Sequence, residues 1–267
     1  MACASLAMYD MLAPVSRGND TLWHFVRDRL RDAGFAAPEE LERQSSHDAL
    51  WPQSDLILAQ TCGYPYITKL KGKVRLVATP IYQFAGGRGT ERLSYVVVSV
   101  ASSYRTLADL RGKTVALNDR GSNSGMNLLR AAVAPLAQDG HFFSDVLVTG
   151  GHQASLAAVA AGHADVAAVD TVTFGLLQRH APESLAGIRV LQSTDSGPGL
   201  PFITSLNASD EMVGVLRKAL SEAVATSSLG LADDLGMIGI EYLTDSDYAR
   251  LDNYRLQAEK LGYPVIA

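Results

Sequence analysis

Asp119-Arg120-Gly121-Ser122-Asn123-Ser124-Gly125-Met126 lies between an apolar run, Thr114 to Asn118, and a segment whose apolar residues Leu128, Leu129, Ala132, Val133 and Leu136 recur at helical spacing. The order is strand, loop, helix. A loop of Gly, Ser and Asn at a helix start gathers backbone N–H groups, two hydroxyls and the positive end of the helix dipole. Such a cradle suits a phosphate-like oxyanion, with Ser122, Asn123, Ser124 and Gly125 as candidate contacts. Taken by itself, Ser122 or Ser124 can equally be a simple N-cap.

The flanking chain repeats this alternation. Before the loop, Ala4 to Met8 reads as a strand, and Asn19 to Gly34 as a helix with Leu22, Trp23, Val26, Leu30 and Ala33 on one stripe, started by Asn19 or Asp20 and ended by Gly34. Asp55 to Gln60 and Val74 to Thr79 are strands, and Tyr95 to Val100 is strongly β. After the loop come a strand at Asp145 to Thr149, a loop at Gly150 to Ser155, a short helix at Leu156 to Gly162 and a strand at Asp165 to Val169. Ile188 to Gln192 and Phe202 to Ser205 add strands, and Ser209 to Ser227 and Asp245 to Leu261 add helices. Strands alternating with helices predict a largely parallel sheet, whose sites lie beyond the carboxyl ends of the strands. Thr61 to Tyr66, Gly121 to Gly125 and Asp170 to Thr173 occupy such ends.

Composition narrows the function. The 267 residues are 47% hydrophobic, enough for one large domain or two smaller ones. A net charge of −5 with 23 Lys plus Arg carries no nucleic-acid footprint. Cys3 and Cys62 have neither metal-ligand spacing nor a disulfide pattern, and no cofactor or metal is expected. No run approaches the roughly 18 apolar residues of a membrane span, and Met1 to Pro14 lacks the features of a signal peptide.

Rival motifs fail on spacing. Asn123 occupies the place where a Gly-x-Ser-x-Gly elbow needs serine, so Ser122, His152 and Asp170 make a poor hydrolase triad. Gly112-Lys113-Thr114 lacks the first glycine of a Walker loop, and Gly197-Pro198-Gly199 lacks the third of a dinucleotide fingerprint. No catalytic residue is assigned.

Leu110-Arg111-Gly112-Lys113, the strand after it and Gly121-Ser122-Asn123-Ser124-Gly125 together resemble the phosphonate, phosphite and phosphate family of ABC-transporter solute-binding proteins. The family often has Thr where Asn123 stands. Gly151-His152-Gln153-Ala154-Ser155 and the following helix and strand tip, to Asp170, look like the family's His-containing loop. The resemblance implies a type II periplasmic-binding-protein fold of two α/β lobes, each a mostly parallel sheet flanked by helices, joined by two crossovers. Breaks near 99–103 and 196–201 then divide the chain into 1–100 plus 198–267 and an inserted lobe, 101–197, with the oxyanion loop.

From the resemblance, the ligand is a small phosphorus oxyanion held between closing lobes, the partner is a membrane ABC permease, and a monomer is expected. His152 would donate a ring N–H, with a charge-assisted bond if protonated. Asp170 would accept a P–OH proton that sulfate lacks, or pair with a ligand ammonium, while Asp119 would brace the loop. Tyr64, with Thr61 and Tyr9, would contact the ligand from the other lobe. Where members carry an aromatic contact before the Val-rich strand, this chain offers Arg92 or Tyr95. The family is periplasmic; a native start at Met1 without a leader would place the chain in the cytoplasm and favour a sensor or scavenging module, with an enzyme on the same scaffold as the remaining alternative.

Overall fold

Runs of β-branched and small apolar residues become strands buried on both faces, as at Leu56–Gln60, Val166–Asp170 and Phe202–Ser205, where every residue is buried. The computed structural model describes residues 2–267. Its strands in chain order are β1 (Cys3–Ser5), β2 (Leu56–Gln60), β3 (Val74–Tyr82), β4 (Glu91–Arg92), β5 (Ser94–Ser99), β6 (Thr114–Leu117), β7 (Asp145–Val148), β8 (Val166–Asp170), β9 (Ile188–Ser193), β10 (Gly197–Pro198), β11 (Phe202–Ser205) and β12 (Met237–Glu241).

Two compact units share these elements. The first holds the described chain up to Gln83 and Pro198–Tyr248; the second holds Phe84–Gly197 and Ala249–Ala267. In the first, the sheet order is β1-β2-β11-β3-β12, with β1 parallel to β2, β11 antiparallel to both β2 and β3, and β12 antiparallel to β3. In the second, the order is β7-β6-β8-β5-β9, with β6 parallel to β7 and β8, and β5 antiparallel to β8 and β9. Both sheets are therefore mixed, the first more so than the alternation predicts. Periodicity identifies a strand but not its direction, and β5, β11 and β12 run against their neighbours.

The first crossing also falls earlier than the composition predicts. The serine-rich break marks only a turn, in which the Ser102 N–H bonds to the Ser99 carbonyl at 3.1 Å. Upstream of it, β5 pairs with β8 and β9, which places 84–100 in the second unit. Residues 249–267 also join that unit, where the N–H groups of Phe142 and Phe143 bond to the Ala267 carbonyl at 2.8 and 3.0 Å.

Other boundaries move for local reasons. The first long helix runs Ala13–Asp32, with Pro14 in its opening turn, where a missing N–H costs nothing. Asn19 is thus a buried mid-helix residue and not a cap. Its Nδ2 donates to the Leu6 carbonyl at 3.3 Å and to Asp10 Oδ1 at 3.1 Å, tying the helix to the segment after β1. Trp23, Val26 and Leu30 are fully buried along its apolar face, and the helix packs beside Asp210–Ala225, which Ser209 caps by accepting from the Met212 N–H at 3.1 Å. The sequence reading assigns no strand to β12, whose burial mixes buried, half-buried and exposed positions.

Asn19→Ala is expected to destabilise the chain by about 1–3 kcal/mol, because it strips a buried carbonyl of its donor. Denaturant unfolding checks this; a loss of a few tenths would mean that water replaces the bond.

Candidate functional site

The second sheet gathers the predicted oxyanion residues at one edge. Parallel β6 and β8 both end there, and antiparallel β5 begins there, with Ser94 opposite Asp170. After β7, the Thr149 N–H and Oγ donate to the Leu117 carbonyl at 2.8 and 3.1 Å, and Thr149 Oγ meets Ser155 Oγ at 2.7 Å. These bonds fix the turn into a helix that starts at His152, earlier than predicted. His152 is thus a first-turn residue and not part of a loop.

The Gly-Ser loop opens its helix with a widened turn over Asn123–Asn127, closed by the Asn127 N–H on the Ser122 carbonyl at 3.0 Å. Cap and cradle roles divide between the two serines. Ser122 Oγ accepts from the Gly125 N–H at 3.1 Å, so Ser122 is the cap. Ser124 Oγ lies 3.0 Å from His152 Nε2. Asn123 Oδ1 accepts from Asn127 Nδ2 at 3.1 Å, and Asp119 Oδ1 accepts from the Gly121 N–H at 2.6 Å, bracing the approach to the loop. Ser94 Oγ donates to the Ser124 carbonyl at 2.9 Å, and the Ser94 N–H donates to Thr194 Oγ1 at 2.9 Å. Gly125 is required by close approach: a Cβ there would run into Asn118 Oδ1 and stand 3.2 Å from His152 Cε1.

Burial sets the chemistry of His152. Its Nδ1 is shut off from solvent without an aligned partner, and desolvation lowers the ring from 6.5 to about 4, with the nearby Ala168 carbonyl drawing it partway back. The ring is neutral near pH 7, so without a ligand it orients the Ser124 hydroxyl and adds no charge. Asp170, 3% exposed, ends β8 and caps the helix Thr171–His180, its Oδ1 accepting from the Thr173 N–H at 2.8 Å. Tyr95 leaves β5 next to Ser94 and packs edge-on against Phe174 at 5.1 Å between ring centres, while Arg92 is 5% exposed and donates to the Glu91 carbonyl at 2.6 Å.

Within the first unit, the carboxyl ends of β1, β2 and β3 share one edge. Tyr9 packs edge-on against Tyr82, 5.7 Å between ring centres. Gln60 donates to Tyr82 Oη at 3.2 Å and to the Leu200 carbonyl at 3.1 Å. The Thr61 N–H bonds to the Pro201 carbonyl at 3.0 Å and its hydroxyl turns to the Cys62 carbonyl at 3.4 Å. Tyr64, 9% exposed, sits in the short turn Gly63–Pro65, its carbonyl accepting from Thr68 Oγ1 at 2.7 Å.

A family profile described as "ABC transporter, phosphonate, periplasmic substrate-binding protein" matches residues 53–248. The chain belongs to this family. Among solved structures it is similar to the binding-protein component of an ABC phosphonate transporter from Pseudomonas aeruginosa, with 17% identity and a TM-score of 0.77 over 97% of this chain and 87% of that one. PhnD1 from Prochlorococcus marinus, solved with methylphosphonate, gives 13% identity and a TM-score of 0.77 over 97% and 98%. XAC2383 from Xanthomonas citri, solved bound to ATP, gives 17% and 0.72 over 98% and 97%. At these identities the likeness establishes the type II periplasmic-binding fold, with two sheet-bearing lobes. No curated protein matches the sequence closely enough to count as a relative. No helix among the described residues is long and apolar enough to cross a membrane.

Around the loop the structure brings in residues that sequence reasoning missed: Ser94, Asn118, Asn127, Thr149 and Thr194. Asn127 alone carried a legible signal, lying four residues after Asn123 on one helical face. The others come from separate strands and turns.

Gly125→Ala is expected to displace Asn118 and weaken oxyanion binding by about tenfold or more while the chain still folds; parent-like affinity in titration calorimetry would count against the tight approach. A second expectation concerns pH. The buried His152 ring holds its proton less readily than in the unfolded chain, so the unfolded state carries more protons between 6.5 and about 4, and stability declines as pH falls through that window. His152→Gln should flatten this decline in denaturant midpoints; an unchanged slope would show that other groups set it.

Proposed function

We propose that this chain is the solute-binding component of an ABC importer, taking up a small phosphorus oxyanion such as phosphonate, phosphite or phosphate in the periplasm and delivering it to a membrane permease. The observation that carries this reading is the Ser122–Gly125 loop at a helix start, with the Ser124 hydroxyl beside His152 Nε2 at 3.0 Å. Ser122, Asn123, Ser124 and Gly125 supply hydroxyl, amide and backbone donors, and His152 orients Ser124. Three or four bonds to a charged oxyanion at roughly 1.5–3 kcal/mol each reach the roughly 8 kcal/mol of micromolar binding.

Asp170 gives the preference for phosphorus over sulfur, since a carboxylate repels a fully ionised sulfate but accepts a proton from a P–OH group. Tyr9, Thr61 and Tyr64 enter as candidate contacts for the ligand's substituent, supported by their place at the carboxyl edge of the first sheet. Membership of the phosphonate-binding family supports transport.

Titration calorimetry of phosphate-free protein against methylphosphonate, phosphite, phosphate, sulfate and taurine tests the reading. A phosphorus oxyanion is expected to bind and to weaken about tenfold or more in Ser124→Ala, with Tyr64→Ala altering methylphosphonate more than phosphite. Equal binding of sulfate and taurine, independent of Ser124, would refute it.

A further inference from the structure

Strand β6 ends at Leu117, and the next side chain, Asn118, is an amide set against the oxyanion loop of the same unit. Its Oδ1 is sealed from solvent and has no hydrogen-bond partner. That oxygen sits on Gly125, in the space a Cβ would take. A second orphaned atom lies on the other side of the glycine: the same Cβ would stand 3.2 Å from Cε1 of His152, whose Nδ1 is also buried without an aligned partner. A buried amide oxygen without a donor is destabilising, and native structures keep few of them. An apolar side chain of similar shape would avoid that cost, so packing alone gives no reason for asparagine here. Departures of this kind gather at functional sites.

The direction of the amide supplies the reason. Asn118 Cγ stands 2.8 Å from the Cβ position of Gly125, behind the oxygen, so the C=O bond points at the glycine and the NH2 group points away from it. The glycine Cα–H is a weak donor that favours oxygen on that side. Asn118 is only half-buried, and among the described residues nothing accepts from its NH2 group. This open donor stands just past the carboxyl end of a parallel strand, where sheets of this kind place their ligands. We propose that Asn118 is a further ligand contact, its NH2 group donating to the bound oxyanion while its oxygen, wedged on Gly125, fixes the aim of the donor. The inference rests on the phosphorus-oxyanion reading and adds one neutral donor to it. Gly125 then has a second purpose: the missing Cβ leaves room for the oxygen that aims Asn118.

The test uses the full chain, freed of phosphate, with methylphosphonate as the probe. Asn118→Leu keeps the branching of the side chain and removes both the orphaned oxygen and the donor. Affinity in titration calorimetry is expected to fall about tenfold or more, while the thermal midpoint of the ligand-free protein stays level or rises. A purely structural amide would behave otherwise: binding within about twofold of the parent, or weaker binding that comes with a lowered midpoint, overturns the proposal. Asn118→Asp puts an anionic oxygen where the NH2 group was and is expected to lose more affinity than Asn118→Leu; an equal or smaller loss overturns it. Should either variant fail to fold, NMR of the parent decides. The Asn118 side-chain amide signals are expected to shift and to exchange more slowly at saturating methylphosphonate, and signals that stay unmoved overturn the contact. A parent that binds neither methylphosphonate nor phosphite removes the phosphorus reading itself, and this inference with it, whereas a parent that binds and an Asn118→Leu variant that binds equally well remove this inference alone.

Discussion

A site that grips an anion with neutral donors depends on those donors being immobile, because a dipole free to rotate is no better than water. In the second unit each element of the loop is fixed by a separate bond. Ser94 holds the Ser124 carbonyl at 2.9 Å, Ser122 caps Gly125 at 3.1 Å, and Asn127 turns Asn123 at 3.1 Å. Under the proposed function, the arrangement would cost little reorganisation on binding an oxyanion, which is the condition under which preorganised dipoles outperform solvent.

Sheet direction makes this possible. Parallel β6 and β8 bring their carboxyl ends to one edge, and an antiparallel β5 delivers the amino end of a strand to the same place. Ser94 comes opposite Asp170 and reaches the loop from the side. An all-parallel sheet would send that position to the opposite edge.

The strand-loop-helix form of this stretch was legible because it is local: glycine, serine and asparagine between an apolar run and a helical stripe mark a helix start. Family features then extended the reading to His152 and Asp170. What stayed hidden depends on long-range placement. Ser94 and Thr194 carry no motif, and their roles exist only once β5 lies between β8 and β9. The neutrality of His152 follows from burial, which sequence spacing does not encode. Asn19 looked like a helix cap because Asn favours caps, but Pro14 opens the helix earlier and tertiary contacts to Leu6 and Asp10 hold Asn19 inside. The crossing near 84 was missed because the glycine-rich segment there and the serine-rich turn at 99–103 both read as irregular breaks between strands.

The position of β11 in the first sheet bears on how the chain comes off the ribosome. All five strands of the second sheet lie between Ser94 and Ser193, so that sheet can complete itself from a continuous stretch. The first sheet cannot, for β11 sits between β2 and β3 and pairs with both, and the bond from Gln60 to the Leu200 carbonyl closes a separation of 140 residues. During synthesis, β2 and β3 are made before β11, and their facing edges have no partner strand until it is added. Such edges invite non-native pairing until β11 arrives. The sheet of the amino-terminal unit is thus the later of the two to have all its strands in hand, although the chain's last residues belong to the other unit.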